Sequence, residues 1–349
     1  MNISIRHSRE SGNPCRLSRI PCAARWTPVF TGVTAFLCMI FSLAAHAAEP
    51  VAVRFCRPNN AVSALAYIAE HEGYFTDANL GVSFLTTTNA KLCNDNLSAG
   101  HADVMFGAEG PFSWMSFNDH PVRLVAQAGV NPETTLIARR DAGIVSEADI
   151  RGKRIGYLPG TVSYLYLVRL LDKLGLTMKD VTPTAMQPPA MPHALQGGAI
   201  DAFVMWEPWA DQAVKALGDK AVRLPDSALY TYKTTFGVTK DFAVTYPETV
   251  QVLLQILIKA ESFIKAHPDE AIAILSEAVK LDADVIRQNW KDYDFTLSLG
   301  PDIVKLMEDN ARYIIRDDAN FAGKAVPDYR SFIDPQFLKA VAPERVTLQ

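Results

Sequence analysis

The sequence LQGGAIDAFVMWEPW, residues Leu195–Trp209, contains in succession a predicted helix end, a short predicted strand and a tripeptide that ends the strand. Gly197-Gly198 tolerate the left-handed conformation in which helices commonly end, so a helix is predicted to end there. Ala202–Met205 is short and apolar, as expected of a buried strand. The Trp206–Pro208 tripeptide then places a large aromatic and a carboxylate at the strand's carboxyl end. In open parallel α/β sheets, this end is where ligands bind.

A weaker copy of this unit, LSAGHADVMFG, occupies Leu97–Gly107 in the first half of the chain. The phrase EGYF at Glu72–Phe75 and the phrase IRGKRIGY at Ile150–Tyr157 accompany the two copies. Together they resemble the periplasmic solute-binding proteins of ABC importers, in the group that binds nitrate, sulfonate, taurine and thiamine precursors. The resemblance covers essentially all of residues 50–340. It implies a substrate-binding component that captures a small organic molecule between two lobes and delivers it to a membrane permease.

Strands and helices are predicted to alternate, which favours parallel sheets covered by helices. With the resemblance, the expected fold is α/β: a type II periplasmic-binding-protein clamshell of two parallel-sheet lobes, two crossover strands and a helical C-terminal part. Crossovers are expected near 134–140 and 234–239. Lobe one would then comprise residues 48–137 plus 239–349, and lobe two residues 138–238.

Prolines in the second half of the chain mark predicted helix starts and one predicted loop. Pro247, Pro268 and Pro301 each stand where a helix is predicted to begin, as proline does at a first helical position. By contrast, the sequence QPPAMP at 187–192 is predicted to form a loop before the helix that ends at Gly197-Gly198.

Residues 1–47 have the pattern of a secretory signal peptide. Five arginines precede the largely apolar run Val29–Leu43, and the small-x-small sequence Ala45–Ala47 follows it. The run is too short to span a bilayer comfortably, so cleavage after Ala47 and a periplasmic mature protein are predicted. The whole chain has a formal net charge of −4, and removal of these five arginines and one glutamate leaves −8. A chain this acidic is not expected to bind nucleic acid or anionic membrane.

Cys56 and Cys93 are the two of the five cysteines that follow the signal peptide. In an oxidising compartment such a pair is a disulfide candidate. The two thiols would lie at one sheet edge if the first two strands are neighbours. The alternative is that both are small buried apolar side chains.

The ligand is expected to meet the carboxyl ends of both sheets and the N-termini of the helices that follow, where unpaired N–H groups favour anions. The loops hold aromatic residues but no cluster of arginine or lysine, which favours a ligand with an organic body over a bare inorganic anion. Local capping by Thr161 or Ser163 and a structural role for Glu207 are the alternatives. The ligand-binding candidates are Asn59, Asn60, Thr88, Asn89, Glu109, Gly110, Gly160, Thr161, Ser163, Tyr164, Trp206, Glu207 and Tyr232.

Catalysis is the competing class of function. Relatives of this fold include an enzyme that makes the thiamine pyrimidine, marked by a cysteine-rich motif that this sequence lacks. His120 and His193 stand alone, without the spacing of a metal site or a catalytic triad. The expectation is therefore a monomeric binding protein that is not an enzyme, with no cofactor or metal and with a permease and an ATPase as partners. A periplasmic ligand sensor is a further alternative.

Overall fold

A computed structural model describes residues 49–132, 134–226 and 228–349; the predicted signal peptide lies outside the described residues. Strands and helices alternate over residues 51–131 and 154–217, as the sequence predicts. The strands are β1 (Val51–Pro58), β2 (Leu80–Thr87), β3 (Val104–Ala108), β4 (Val122–Asn131), β5 (Thr135–Arg139), β6 (Arg154–Tyr157), β7 (Thr182–Ala185), β8 (Ala202–Met205), β9 (Ala221–Pro225), β10 (Tyr232–Thr239) and β11 (Asp294–Ser298). The α-helices are α1 (Ala64–His71), α2 (Tyr74–Asp77), α3 (Ala90–Ser98), α4 (Glu109–Met115), α5 (Val162–Lys173), α6 (Met191–Gln196), α7 (Trp209–Leu217), α8 (Lys240–Thr245), α9 (Pro247–Ala266), α10 (Pro268–Val279), α11 (Ala283–Trp290), α12 (Pro301–Asp317) and α13 (Gln336–Val341).

The strands form two sheets, which are the cores of two lobes. The first has the strand order β11-β4-β10-β3-β1-β2 and the second β7-β6-β8-β5-β9. The expected bilobal α/β fold is confirmed, but each sheet is mixed rather than parallel. β1 pairs in parallel with β2 and β3, and β6 with β7 and β8, whereas β10 and β5 run antiparallel to their neighbours. β5 and β10 are the strands that enter each sheet from the other lobe, so no crossover helix within the sheet brings the chain back to run parallel to their neighbours.

The chain passes from the first sheet to the second between β4 and β5, and returns between β9 and β10. Residues 135–137 were expected in lobe one but pair in the second sheet, and residues 232–238 were expected in lobe two but pair in the first. Both segments form strands, and the sequence of a strand does not reveal which sheet supplies its hydrogen-bonding partners.

The segment Leu195–Trp209 folds as predicted. α6 ends at Gln196, Gly198 takes the left-handed conformation with φ of 73°, and β8 spans Ala202–Met205. Every residue of β8 is buried, and α5 and α6 both pack against this strand. The preceding proline-rich segment is not all loop: a 3-10 turn forms at Pro188–Ala190 and α6 begins at Met191, because proline is compatible with a first helical turn.

Helices dominate the C-terminal third. Pro247, Pro268 and Pro301 are the first residues of α9, α10 and α12, as predicted. α9 buries one face that includes Leu253, Leu254 and Leu257 against α1 and α13. Among the described residues, no helix is both long enough and apolar enough to cross a membrane.

Candidate functional site

A small cavity lies where the carboxyl ends of β3 and β8 approach the N-termini of α3 and α5. It therefore has walls from both lobes. Its volume is about 10 Å³, which is room for about one water molecule. Binding of an organic molecule therefore requires the surrounding elements to move apart. The residues that line the cavity are Asn60, Val62, Ala90, Ala108, Pro111, Thr161, Val162, Trp206 and Tyr232.

Two asparagines cap helical segments on the lobe-one side of the cavity. Asn60 follows β1, and its side-chain oxygen accepts a hydrogen bond of 3.2 Å from the backbone N–H of Val62. Asn89 follows β2 and accepts one of 3.1 Å from Leu92 at the start of α3. Both side chains are buried. Each therefore satisfies a backbone donor that would otherwise be unpaired beside the cavity.

The lobe-two side is built around the start of α5. The hydroxyl of Thr161 accepts a hydrogen bond from the Ser163 N–H at 3.2 Å and donates to the Leu158 carbonyl at 2.8 Å. The Ser163 hydroxyl donates to the Val204 carbonyl at 2.7 Å and accepts from the Leu158 N–H at 3.1 Å. Thr161 lines the cavity while Ser163 is fully buried behind it. Gly160, with φ of 72°, allows the tight turn before the helix.

Trp206 and Tyr232 supply the aromatic part of the lining. Trp206 follows the last residue of β8, is 4% exposed, and its indole Nε1–H has no hydrogen-bond partner among the described residues. Tyr232 begins β10 and is also buried. A buried donor without a partner is costly, because it has lost its hydrogen bond to water. Trp206 therefore has a donor unsatisfied by the described residues and lines the cavity.

Glu207 has a local structural role. Its Oε2 accepts a hydrogen bond of 2.8 Å from the Asp211 N–H, and its Oε1 pairs with the Arg223 guanidinium. The side chain is 2% exposed and does not line the cavity. These contacts join the start of α7 to β9, which is the structural alternative that the sequence analysis left open.

Glu109 is also turned inward, away from the cavity. Its carboxylate accepts hydrogen bonds from the Tyr230 hydroxyl, from the Lys233 N–H at 2.8 Å and from Asn310 Nδ2 at 3.3 Å. Burial raises the pKa of this carboxyl, and the three hydrogen bonds and the charge of Arg169 oppose that rise. The carboxylate thus joins α4 to the β9–β10 segment and to α12.

Gly110 and Tyr164 lie in the contact surface between α4 of lobe one and α5 of lobe two. A Cβ atom at Gly110 would come within 3.0 Å of Val162 Cγ1 and 3.1 Å of Leu165 Cδ1. The Tyr164 ring meets the Trp114 ring edge to face, with centroids 5.3 Å apart. These two candidates contact the opposite lobe rather than the cavity.

Asn59 and Thr88 complete the set of candidates. The Asn59 side chain accepts from the Tyr67 hydroxyl at 3.0 Å, and the Thr88 hydroxyl accepts from Asn89 Nδ2 at 3.2 Å. Neither lines the cavity. Of the thirteen candidates, the structure brings together four at the cavity, and ligand contact by any of them stays a prediction: Asn60, Thr161, Trp206 and Tyr232.

The apolar residues of the lining were not among the thirteen candidates: Val62, Ala90, Ala108, Pro111 and Val162. Each lies within three residues of a polar candidate. The signal was therefore present in the loops, but small apolar residues there are indistinguishable from core residues in a single sequence.

The lining is uncharged: none of the described residues around the cavity carries a charged side chain. The stem of Lys91 lies close to Gly160 at the cavity's edge, but its ammonium pairs with Asp95 at 2.7 Å. Within the described part of the chain, no group of three or more His, Cys, Asp or Glu residues has the arrangement of a metal site.

Cys56 and Cys93 form a disulfide, with their Cα atoms 5.4 Å apart. It connects β1, which leads to Asn60, with α3, which begins at Ala90. The Thr87 hydroxyl lies 3.3 Å from Cys93 Sγ. The bridge therefore ties two cavity-lining elements of lobe one to each other.

Several curated relatives are similar in sequence. A Brucella abortus protein with the provisional name of binding protein is 25% identical over 252 residues, covering 71% of this chain and 77% of the relative. A Bacillus subtilis protein with the provisional name of aliphatic sulfonates-binding protein is 28% identical, covering 60% and 62%. The 4-amino-5-hydroxymethyl-2-methylpyrimidine phosphate synthase of Candida albicans is 24% identical, covering 59% and 65%.

Solved structures share the fold. The periplasmic aliphatic sulphonate binding protein SsuA from Escherichia coli superposes with a TM-score of 0.69 at 19% identity, covering 82% of this chain and 93% of that one. The alkanesulfonate-binding protein SsuA from Xanthomonas axonopodis pv. citri, bound to MOPS, gives 0.70 at 19% identity, covering 83% and 100%. The sequence profile described as NMT1/THI5 like matches residues 60–271, more than half of the sequence, and the chain therefore belongs to the NMT1/THI5-like family.

Proposed function

We propose that this chain is the periplasmic substrate-binding component of an ABC-type importer. It captures one small organic molecule between its lobes and delivers it to a permease driven by an ATPase. One observation carries the proposal: a small uncharged cavity has walls from both lobes, and one of its lining residues, Trp206, has a buried indole N–H without a hydrogen-bond partner among the described residues. A site of this kind binds a ligand when the lobes close and releases it when the lobes open.

The lining suggests the class of ligand. Val62, Ala108 and Pro111 offer apolar contact, and Trp206 and Tyr232 offer aromatic contact. The N-termini of α3 and α5 and the Trp206 indole offer hydrogen-bond donors, which suit an acceptor-rich head group. A sulfonate or a heterocycle with an organic body meets both requirements.

We further propose that the lobes divide where the chain changes sheets. Lobe one would comprise the chain up to the end of β4 together with β10 and everything after it, and lobe two would comprise β5 to β9. The segments between β4 and β5 and between β9 and β10 would be the hinges, and the protein would work as a monomer.

A thermal-shift screen of the chain from residue 48 onward, against sulfonates, aromatic acids, pyrimidines and short amines, tests the proposal. A ligand that binds only the folded state stabilises it by about 2.7 kcal/mol at a hundred times its dissociation constant. We expect one chemical class to raise the melting temperature. No shift across all classes would count against a small-molecule receptor.

A synthase is the second candidate, because one relative bears the name of a pyrimidine phosphate synthase. Mass spectrometry of the ligand recovered after long incubation separates the two. A binding protein returns the ligand unchanged, whereas an altered ligand would favour the enzyme.

A further inference from the structure

Away from the cavity, α5 of lobe two lies against α12 and α4 of lobe one. Arg169 and Asp172 are three residues apart on α5, and Asn310, Tyr313 and Arg316 follow at the same spacing on α12. Residues three apart share one face of a helix, so each helix presents a polar row to the other.

The centre of this contact is a buried arginine. Arg169 is 8% exposed, and its guanidinium donates a hydrogen bond of 2.7 Å to Asn310 Oδ1. It also lies over two rings, with its central carbon 4.4 Å from the Tyr230 centroid and 4.5 Å from the Tyr313 centroid. Asn310 in turn donates to Glu109 Oε1 at 3.3 Å. A charged side chain of lobe two is thus enclosed by groups of lobe one and of the β9–β10 segment.

The rim of the contact carries an ion pair. Asp172 accepts 2.9 Å and 3.3 Å hydrogen bonds from Arg316 and from the Tyr313 hydroxyl. Both members of the ion pair are about half exposed. Nearer the cavity, the same surface is closely packed at Gly110, where a single added carbon atom would crowd Val162 and Leu165.

We propose that this surface, named here the α5 latch (Arg169, Asp172, Asn310, Arg316 and Gly110), holds the lobes together and sets ligand affinity without touching the ligand. The cavity is too small for an organic molecule, so a ligand that binds in it would have to separate the lobes and disturb these contacts. A contact made only in the closed form favours that form, and the affinity changes with its population. The part of the proposal that concerns affinity rests on the proposed function; the part that concerns lobe closure does not.

Two variants weaken the latch in different ways. Asp172→Asn removes the exposed cross-lobe ion pair and should leave the fold intact; the open-to-closed ratio should rise about 1.4- to 5-fold. Gly110→Leu inserts a wedge between α4 and α5, and the ratio should rise about 5- to 150-fold if opening relieves the overpacking. Asp284→Asn, which removes an exposed ion pair within α11, is the matched control.

Small-angle X-ray scattering and acrylamide quenching of tryptophan fluorescence report opening without any ligand, and calorimetry with ethanesulfonate as probe reports affinity. We expect a larger radius of gyration and stronger quenching in both variants than in the control. Unchanged scattering and quenching in Asp172→Asn and in folded Gly110→Leu would overturn the latch. If Gly110→Leu does not fold, Asp172→Asn decides alone. Absence of ethanesulfonate binding to the unsubstituted chain would count against a sulfonate ligand but leave the scattering result valid.

Discussion

The hydroxyl of Ser163 donates a hydrogen bond of 2.7 Å to the backbone carbonyl of Val204, and this bond joins the start of α5 to β8. The same hydroxyl accepts from the Leu158 N–H. Two elements that flank the cavity, the Thr161 turn and the strand that leads to Trp206, are therefore fixed to each other by one side chain. We therefore expect the cavity wall in lobe two to move as a unit, so that ligand-induced movement occurs between lobes rather than within it.

Ser163→Ala is expected to destabilise the protein, because it leaves a buried carbonyl and a buried N–H without partners. The free energy of unfolding should fall by about 1–3 kcal/mol. Chemical denaturation measures this change. Ser262→Ala is the control, since Ser262 is an exposed serine that donates to a carbonyl of its own helix. Equal effects of the two substitutions would contradict the role given to Ser163.

Glu207→Gln should lower stability without changing ligand affinity. The substitution keeps an acceptor for the Asp211 N–H but removes the charge that faces Arg223. We expect a loss of about 1–3 kcal/mol, measured by denaturation, beside an unchanged dissociation constant. Glu277→Gln, at an exposed position of α10, serves for comparison. A larger dissociation constant with unchanged stability would instead indicate that Glu207 contacts the ligand.

Non-reduced peptide mapping of periplasmic material should yield a single cross-linked pair, Cys56 with Cys93. Replacing both by serine should cost about 4 kcal/mol, from the loop of 37 residues that the bridge closes. Alkylation of both thiols under denaturing, non-reducing conditions would show that the native protein lacks the bond.

His120 should make stability depend on pH. Burial, with Arg123 nearby, lowers its pKa from 6.5 to about 4, and its Nδ1 accepts a hydrogen bond from the Val122 N–H. Below pH 6.5 the unfolded chain binds a proton that the folded chain does not, so stability falls as the pH drops from 6.5 to 4. Between pH 7 and pH 5 the loss should be about 2 kcal/mol.

Denaturation curves of His120→Asn at the two pH values measure that contribution. Asparagine retains an acceptor but does not titrate, so the variant should lose less stability on acidification than the unsubstituted chain. His101→Asn, at an exposed position, is the control and should lose as much stability between pH 7 and pH 5 as the unsubstituted chain does. An identical pH response in His120→Asn would show that His120 does not contribute.

The sequence predicts local features well because they depend on neighbouring residues. The strand Ala202–Met205 and the loops that carry Asn60, Thr161 and Trp206 could be placed from apolar runs, glycines and prolines. The roles of Glu109 and Tyr164 could not. Their partners, such as Tyr230, Asn310 and Trp114, come from distant segments, and nothing in a single sequence reveals which polar side chains meet across a lobe contact.

The mixed character of the sheets was missed for a similar reason. Nothing in the sequences of β5 and β10 gives their direction, because that direction depends on the path of the chain between lobes. The proline-rich segment before α6 shows a further limit: the same prolines that suggest a loop are compatible with the first turn of a helix.

Calorimetric titration of the strongest hit from the screen, into the unsubstituted chain and into two Trp206 variants, tests most directly whether the cavity is the ligand site. We predict one ligand per chain. Trp206→Phe, which loses only the indole donor, should weaken binding about 3- to 10-fold, and Trp206→Ala should weaken it about tenfold or more. Trp290→Phe, far from the cavity lining, should bind as the unsubstituted chain does. A dissociation constant that is unchanged in both Trp206 variants, measured on folded protein, would contradict the account.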